Sequence, residues 1–301
     1  EHKEFDMGYS LTILTPTYNR AYVLPKLYES LIGQTNLEFT WLVVDDGSSD
    51  NTEELINEFI KEEKIKIVYI KQENGGKHRA LNTGAKAVTT DAVFVVDSDD
   101  YLTSDAVETI LSSWNIVKEN KLMGISLLRG YSETEVIGEE FPENYLIKNF
   151  NEVRYNMGIK GDKAEIIDAE IMKSSPFPDI PSERFMSEGV AWKEMAKKGD
   201  SLFINKIIYI TEYLEDGYTS SGRMLLINNP LGAMLNAKMA MTDEFTLKVR
   251  LRNALLYIAY GYVAHKSRKE IVQESGQKAL VQSLLPFGWL FYRYWKFKYK
   301  F

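Results

Sequence analysis

Four short apolar runs near the start of the chain each end in a polar loop that leads into a segment with helical periodicity, and this alternation restricts the fold more than any other feature. Leu11 to Leu14 runs into Thr15-Pro16-Thr17-Tyr18-Asn19-Arg20, where Pro16 is expected to stop a strand. Leu24, Leu27, Tyr28, Leu31 and Ile32 follow at helical spacing up to Gly33. Trp41 to Val44 ends in Asp45-Asp46-Gly47-Ser48-Ser49-Asp50, and Asp50 with Glu53 has the form of a capping box for a helix burying Leu55, Ile56, Phe59 and Ile60. Ile65 to Ile70 reads as a third strand, Lys77 to Val88 as a helix with a small-residue face, and Ala92 to Val96 as a fourth strand. Ser104 to Val117 is then a helix burying Val107, Ile110, Leu111 and Trp114. Strands alternating with helices imply an α/β fold, a mostly parallel sheet with right-handed crossovers and helices on its faces. Past Leu128 the rhythm changes. Charged turns and short apolar pieces fill Gly130 to Ile180, and Pro176, Pro178 and Pro181 punctuate a loop. Val190 to Lys198 looks helical, Leu202 to Ile210 looks like a strand added to the same sheet, and Met224 to Lys278 suggests two or three helices.

Side chains two apart on a strand share a face. The run Ala92 to Val96, ending in Asp97-Ser98-Asp99-Asp100, therefore delivers clustered negative charge at the C-terminal edge of the sheet, where open α/β folds bind ligands. Carboxylates crowded there repel one another unless a cation sits between them. The cation that such oxygen ligands favour is Mg²⁺ or Mn²⁺, usually shared with a substrate's phosphates. An isolated Asp-x-Asp fits equally a solvated turn that caps the next helix through Thr103 or Ser104. Tyr18, Asp46 and the Asp97/Asp99 pair, from strands one, two and four, could converge on one crevice. They would offer an aromatic face and a carboxylate to a base and its ribose, and a metal to a diphosphate. The loop after the first strand lacks G-x-G-x-x-G, which disfavours an NAD dehydrogenase. The sequence also holds neither G-x-x-x-x-G-K-[ST] nor G-x-S-x-G, against a P-loop NTPase and a hydrolase with a nucleophile elbow.

The 301 residues suffice for one large domain or two smaller ones. With no cysteine, disulfides, thiolate metal sites and a cysteine nucleophile are excluded, and a reducing cytoplasm is the expected compartment. A net charge of −7 disfavours nucleic acid as a partner. Residues 1–9 read as a leader or as a remnant of a trimmed start. From Leu284 to Phe301, aromatics interleave with Arg293, Lys296, Lys298 and Lys300, and no acid occurs. Such a segment is either a peripheral membrane anchor or a stretch folded back on the protein with its cations snorkelling outward.

Four motifs in order carry a resemblance. Thr15-Pro16-Thr17-Tyr18-Asn19-Arg20, Val43-Val44-Asp45-Asp46-Gly47-Ser48-Ser49-Asp50, Asn74-Gly75-Gly76-Lys77 through Asn82-Thr83-Gly84, and Val96-Asp97-Ser98-Asp99-Asp100 together resemble the family 2 glycosyltransferases of the GT-A fold, in particular those of bacterial surface polysaccharides. The resemblance implies a GT-A catalytic domain over 10–223, with a nucleotide-binding half at 10–102 and an acceptor-binding half at 103–223. A helical extension (224–283) and the basic aromatic tail (284–301) would follow. It implies that Pro16, Tyr18 and Asp46 hold the uracil and ribose of a UDP-sugar, with Asn19, Arg20 and Ser98 on the same donor-binding side. Asp99 would ligate Mn²⁺ or Mg²⁺, Asp97 would serve ribose and metal, Asp100 the donor sugar or the local structure, and Lys77 a phosphate or sugar hydroxyl. His78 reads as a packing residue. The general base of such an inverting enzyme falls in Ser182-Glu183-Arg184-Phe185-Met186-Ser187-Glu188-Gly189-Val190-Ala191-Trp192. Glu188 is the first choice and Glu183 the alternative, because Gly189 stands where a second acid is expected. Downstream, Gly217 and Gly222 would flank a lid, with Arg223 available to the diphosphate. The acceptor that the resemblance implies is a glycan hydroxyl, lipid-linked in the family's pattern, met at the inner face of the cytoplasmic membrane. A nucleotide-sugar-binding protein without turnover, and a sugar-phosphate nucleotidyltransferase, are the competing readings.

Overall fold

The computed structural model describes residues 8–212 and 218–301, which divide into two compact units. The first comprises 8–150, 159–176 and 194–212, and the second 151–158, 177–193 and 218–301. Most of the expected leader, and Gly217, lie outside the described residues.

The first unit follows the alternation in the sequence. Its elements are β1 (Leu11–Thr17), α1 (Leu24–Ile32), β2 (Phe39–Asp45), α2 (Thr52–Lys61), β3 (Lys66–Lys71), α3 (Lys77–Ala87), β4 (Ala92–Val95), β5 (Tyr101–Leu102), α4 (Ala106–Asn120), β6 (Gly124–Gly130), β7 (Leu146–Lys148), β8 (Lys163–Asp168), α5 (Ala169–Lys173) and β9 (Ser201–Ile210). One sheet takes all the described strands in the order β3-β2-β1-β4-β8-β6-β9-β5, with β7 beside β9. The half from β3 to β4 is parallel, as expected. Beyond it the sheet is mixed: β8 runs antiparallel to both β4 and β6, while β6 and β9 are parallel. The expected strand near Leu202 to Ile210 is β9.

Local chemistry explains two departures from expectation. Pro16 does not end β1, which stays paired with β2 as far as Thr17. Leu14 accepts from the Val96 N–H on the β4 side, so the nitrogen two residues on faces the same way, where β4 has already turned off. A proline there removes no ladder bond. The capping box at Asp50 and Glu53 does not form either. Asp50 Oδ1 accepts from the Thr52 N–H (3.1 Å) and hydroxyl (2.6 Å), its other oxygen accepts from the Ala21 N–H (3.2 Å), and Glu53 pairs with Lys71 at 2.7 Å. Asp50 thus ties the start of α2 to the loop after β1. The core beneath the sheet stacks Tyr28 on Phe59 at 3.9 Å between centroids and buries Trp41 completely, its Nε1–H donating to Thr15 Oγ1 at 3.0 Å. On α3, a Cβ at Gly84 would lie 2.3 Å from Leu14 Cδ1, so only glycine lets this helix approach β1 so closely.

The second unit is helical. A π-helical turn (Glu152–Asn156) precedes α6 (Gly189–Met195), α7 (Tyr218–Asn228), α8 (Pro230–Met239), α9 (Leu247–Val263), α10 (Arg268–Glu274) and α11 (Lys278–Tyr299). Met241, Tyr257, Ile258, Ile271, Val281 and Trp295 form its buried centre. The sequence reading ended the helices near Lys278 and began a separate tail at 284. In the structure one helix, α11, runs through Pro286, which is exposed, so water can reach the carbonyl that lacks its donor. No helix among the described residues is long and apolar enough to cross a membrane.

Candidate active site

The C-terminal ends of β1, β2 and β4, with the start of α3, supply the polar residues that the sequence singled out. Asn19 takes a left-handed conformation (φ 52°), which asparagine tolerates. Its backbone N–H donates to Ser48 Oγ (2.8 Å) and its side-chain oxygen accepts from the N–H groups of Ser49 (2.8 Å) and Asp50 (3.3 Å). Two strand-end loops are stitched together by one side chain. Beside it Tyr18 is 47% exposed, leaving an aromatic face open, whereas Pro16 is buried in β1. Asp45 is committed to the fold, accepting from Tyr69 (2.6 Å) and the Ser48 N–H (2.7 Å).

Asp46 is buried and its carboxylate is fully engaged by the loop before α3. Oδ1 accepts from Gln72 Nε2 (2.7 Å) and the Gly75 N–H (2.9 Å), and Oδ2 from the Gly76 N–H (2.7 Å) and Asn74 Nδ2 (3.3 Å). Gly76 has φ 102°, open to glycine, and the turn it makes starts α3 at Lys77. The Lys77 ammonium reaches Asp97 Oδ1 at 2.6 Å. The clamp at Asp46 therefore fixes the cation that faces Asp97. Asp46→Ala is expected to cost roughly 3 kcal/mol of unfolding free energy, since it strands several buried donors at once; urea denaturation measures it, and a loss within error of zero would contradict the clamp.

Around Asp97 the charges are tightly interlocked. Tyr209 on β9 donates its hydroxyl to Asp100 Oδ2 (2.7 Å) and accepts from the Asp97 N–H (2.9 Å). Arg129, at the end of β6, stacks 3.9 Å from the Tyr209 ring centre and lies 4.0 Å from Asp97 Oδ2 and 3.8 Å from Asp100 Oδ2. Burial would raise the Asp97 carboxyl, but Lys77 and then Arg129 outweigh it and hold it below the usual carboxylate range. Asp99 goes the other way, raised by burial and by the charge of Asp97 against the pull of Arg20 and Lys77. Asp100 is pushed up to about 7 by burial and by Asp97, with the Tyr209 hydrogen bond opposing. Ser98 and His78 are buried beside this cluster in sequence.

Sequence reasoning missed Arg129 and Tyr209. Arg129 had a legible signal, a single cation closing the apolar run Ile125 to Leu128 as the aspartates close Ala92 to Val96. Tyr209 had none, because only the long-range pairing of β5, β6 and β9 brings it under the loop after β4.

No three acidic or histidine side chains come together as a ready metal cage among the described residues. The donor set nonetheless fits a hard divalent ion. Such ions commonly take only one or two protein carboxylates with the rest from water and phosphate, and Asp99 carries a carboxyl raised by a neighbouring negative charge that a cation would relieve.

The expected base and diphosphate contacts belong to the second unit. Glu183 is buried at the start of α8: its carboxylate accepts from the N–H of Leu231 and, at 2.6 Å, from that of Gly232, while Asn229 Oδ1 accepts in return from the Arg184 (3.0 Å) and Phe185 (3.1 Å) N–H groups. Burial raises its carboxyl, and the two backbone donors oppose that. Glu188 is half-buried, directly before α6, where its carbonyl accepts from the Trp192 N–H at 3.0 Å. A Cβ at Gly189 would come within 3.1 Å of both Asn236 Oδ1 and the Tyr155 hydroxyl and 3.2 Å of Lys193 Nζ, so a second acid at this position would have to displace its neighbours. Lys193 is itself buried, donating to the Gly189 carbonyl (3.1 Å) and Asn236 Oδ1 (2.6 Å), and burial pushes its ammonium down to about 7. Arg223 donates to the Tyr260 hydroxyl at 2.9 Å and lies 4.8 Å from the Trp295 ring centre, bracing α7 against α9 and α11. Gly222 kinks α7 (φ 47°, ψ −128°).

Comparisons with known proteins agree with this architecture. The model of the glycosyl transferase family 2 matches residues 12–156. The glycosyltransferase GlyA of Streptococcus pneumoniae is 34% identical over 139 residues, covering 44% of this chain and 20% of GlyA, so the chain spans about a fifth of that relative. Among solved structures, Staphylococcus aureus TarS 1–349 in complex with UDP-GlcNAc aligns with a TM-score of 0.64 at 19% identity, over 93% of this chain and 86% of that one. The mannosyltransferase PcManGT of Pyrobaculum calidifontis, with GDP-Man and Mn²⁺, aligns at 0.56 and 14% identity, over 94% and 85%. A mixed α/β sheet like that of the GT-A structures, acidic at the end of β4, thus carries the stretch, residues 12–156, over which this chain is similar to glycosyl transferase family 2.

Proposed function

We propose that the protein transfers a sugar from a UDP-sugar to a hydroxyl of a glycan with inversion at the anomeric carbon, in the synthesis of a cell-surface polysaccharide. The observation that carries the reading is the cluster of Lys77, Asp97, Asp99 and Asp100 at the C-terminal edge of β4, charged for a diphosphate with its cation. The likeness to TarS, solved with UDP-GlcNAc, favours UDP as the carrier and a hexosyl or N-acetylhexosaminyl group as its cargo. Tyr18 offers its exposed face to the uracil, with Asn19 and Arg20 on the same loop, Pro16 buried beneath it at the end of β1, Asp46 behind them and Ser98 on the β4 side. Asp99, with Asp97, would hold Mn²⁺ or Mg²⁺, which would supply positive charge against the departing diphosphate. Lys77, held by the Asp46 clamp, adds a fixed positive charge to the same end of the reaction. In the reaction the acceptor oxygen forms its bond to the anomeric carbon from the face opposite the diphosphate. The anomeric C–O bond breaks with its electron pair passing to the β-phosphate oxygen, and the acceptor proton goes to the Glu188 carboxylate. The acceptor is lipid-linked in this reading, which sets the enzyme at the inner face of the cytoplasmic membrane. Arg223, for its part, serves the diphosphate only by leaving Tyr260.

The test is a thermal-shift screen of UDP, UDP-GlcNAc, GDP and GDP-mannose with and without Mn²⁺. A ligand that binds only the folded protein raises its Tm, by several degrees once free ligand reaches roughly 100 times Kd. UDP compounds with Mn²⁺ are expected to give that rise. Equal shifts with GDP, or none with any nucleotide, would overturn the assignment of the donor.

A further inference from the structure

We propose that α11 docks in the plane of an anionic lipid surface through one exposed stripe, Phe287, Leu290, Phe291, Tyr294 and Phe297. The inference extends the proposed function by naming the surface on which a lipid-linked acceptor would be met, but it stands on the geometry of this helix alone. The stripe residues recur three and four apart and so share one side of the helix. They are strongly exposed: Phe287 57%, Leu290 56% and Phe297 85%. A different side of the same helix, bearing Val281, Gly288 and Trp295, is buried against α9, where a Cβ at Gly288 would come within 2.5 Å of Ile258. The buried side holds α11 in place, so the stripe is not needed for the fold.

Charge selects the partner. By helical position Arg293 flanks the stripe and Lys298 falls within it, Lys300 follows at the C-cap, and no acid occurs after Glu274. Three cations of the helix lean along aromatic rings: Arg293 at 5.4 Å from the Trp289 centre, Lys296 at 6.0 Å from that of Tyr292, and Lys298 at 5.8 Å from that of Tyr294. Trp and Tyr beside Lys and Arg match the boundary between acyl chains and anionic headgroups. A second copy of the chain would fit poorly, since a two-fold pairing of this face sets basic side chains against their own equivalents. The helix is also too charged to cross a bilayer, which leaves it lying in the interface.

The experiment is co-sedimentation of the full chain with vesicles of phosphatidylcholine containing phosphatidylglycerol, against vesicles of phosphatidylcholine alone, with light scattering in lipid-free buffer alongside. Binding is expected only to the anionic vesicles. It should weaken about tenfold or more in the double variant Phe291→Asp, Phe297→Asp, and weaken with added salt or with Arg293→Gln, Lys298→Gln. Circular dichroism and an unchanged Tm check that the variants remain folded; because the altered side chains are exposed, both are expected to match the parent. No binding to anionic vesicles, or binding unchanged in the aspartate variant, overturns the proposal. So does a lipid-free oligomer that the aspartate variant disperses, which would assign the stripe to a second copy. Failure of the nucleotide screen with vesicle binding intact would remove the proposed transferase reaction and leave this surface standing.

Discussion

Glu188→Gln is expected to lower turnover about a thousandfold while UDP affinity stays within about twofold, because the amide keeps the shape of the side chain but cannot take the acceptor's proton. Glu183→Gln is the informative contrast. Its carboxylate accepts from the Leu231 and Gly232 N–H groups at the start of α8, so losing its charge weakens a buried helix cap. The cost appears as a lowered Tm, about 1 to 2 kcal/mol, with residual turnover. Initial rates with UDP-sugar and a glycan acceptor, beside melting curves, separate the two. A Glu188 variant of normal rate and a folded Glu183 variant without turnover would move the base to Glu183.

Asp99→Ala is expected to abolish transfer and to weaken UDP binding in the presence of Mn²⁺ about 100-fold, while UDP binding without metal changes little. The carboxyl of Asp99 is raised by burial and by Asp97, so its removal relieves repulsion in the metal-free protein, and the variant should fold at least as stably as its parent. Isothermal titration with UDP, with and without Mn²⁺, gives both affinities. Asp97→Ala behaves differently, since it deprives Lys77 of the partner held at 2.6 Å and lowers stability as well. Mn²⁺-dependent binding that survives Asp99→Ala would exclude Asp99 from the metal site.

The first half of the sheet was legible because β1, β2 and β4 bury both faces and read as apolar runs, while the edge strand β3, more exposed, still alternates with its neighbouring helices. Those strand ends also carry the aspartates, so the acidic edge came with them. Beyond Gly124 the logic changes. The strand β8 contains Lys163 and Glu165 and pairs antiparallel with strands distant in sequence, and no local period announces that. Tyr209 went unseen for the same reason, whereas Arg129 closes an apolar run and was open to the same reading as the aspartates after β4. Asp46 illustrates a subtler gap. Its position at a strand end was readable, but its four donors come from Gln72 to Gly76, and only the folded loop reveals that it steers Lys77. Apolar periodicity announced helices in the second unit but two or three of them from Met224 to Lys278, where four occur among the described residues, α7 to α10, and it did not announce the run of α11 through Pro286, since proline ordinarily marks an end.

The insertion of β8 between β4 and β6 has a consequence for biosynthesis. As the nascent chain leaves the ribosome, β4 can pair with β1 on one side, but its other edge must wait for residues made roughly 70 positions later, on the order of several seconds at ordinary translation rates. During that interval a short, wholly apolar strand edge is open to adventitious pairing, which makes the stretch between the synthesis of β4 and that of β8 the step of folding most exposed to aggregation.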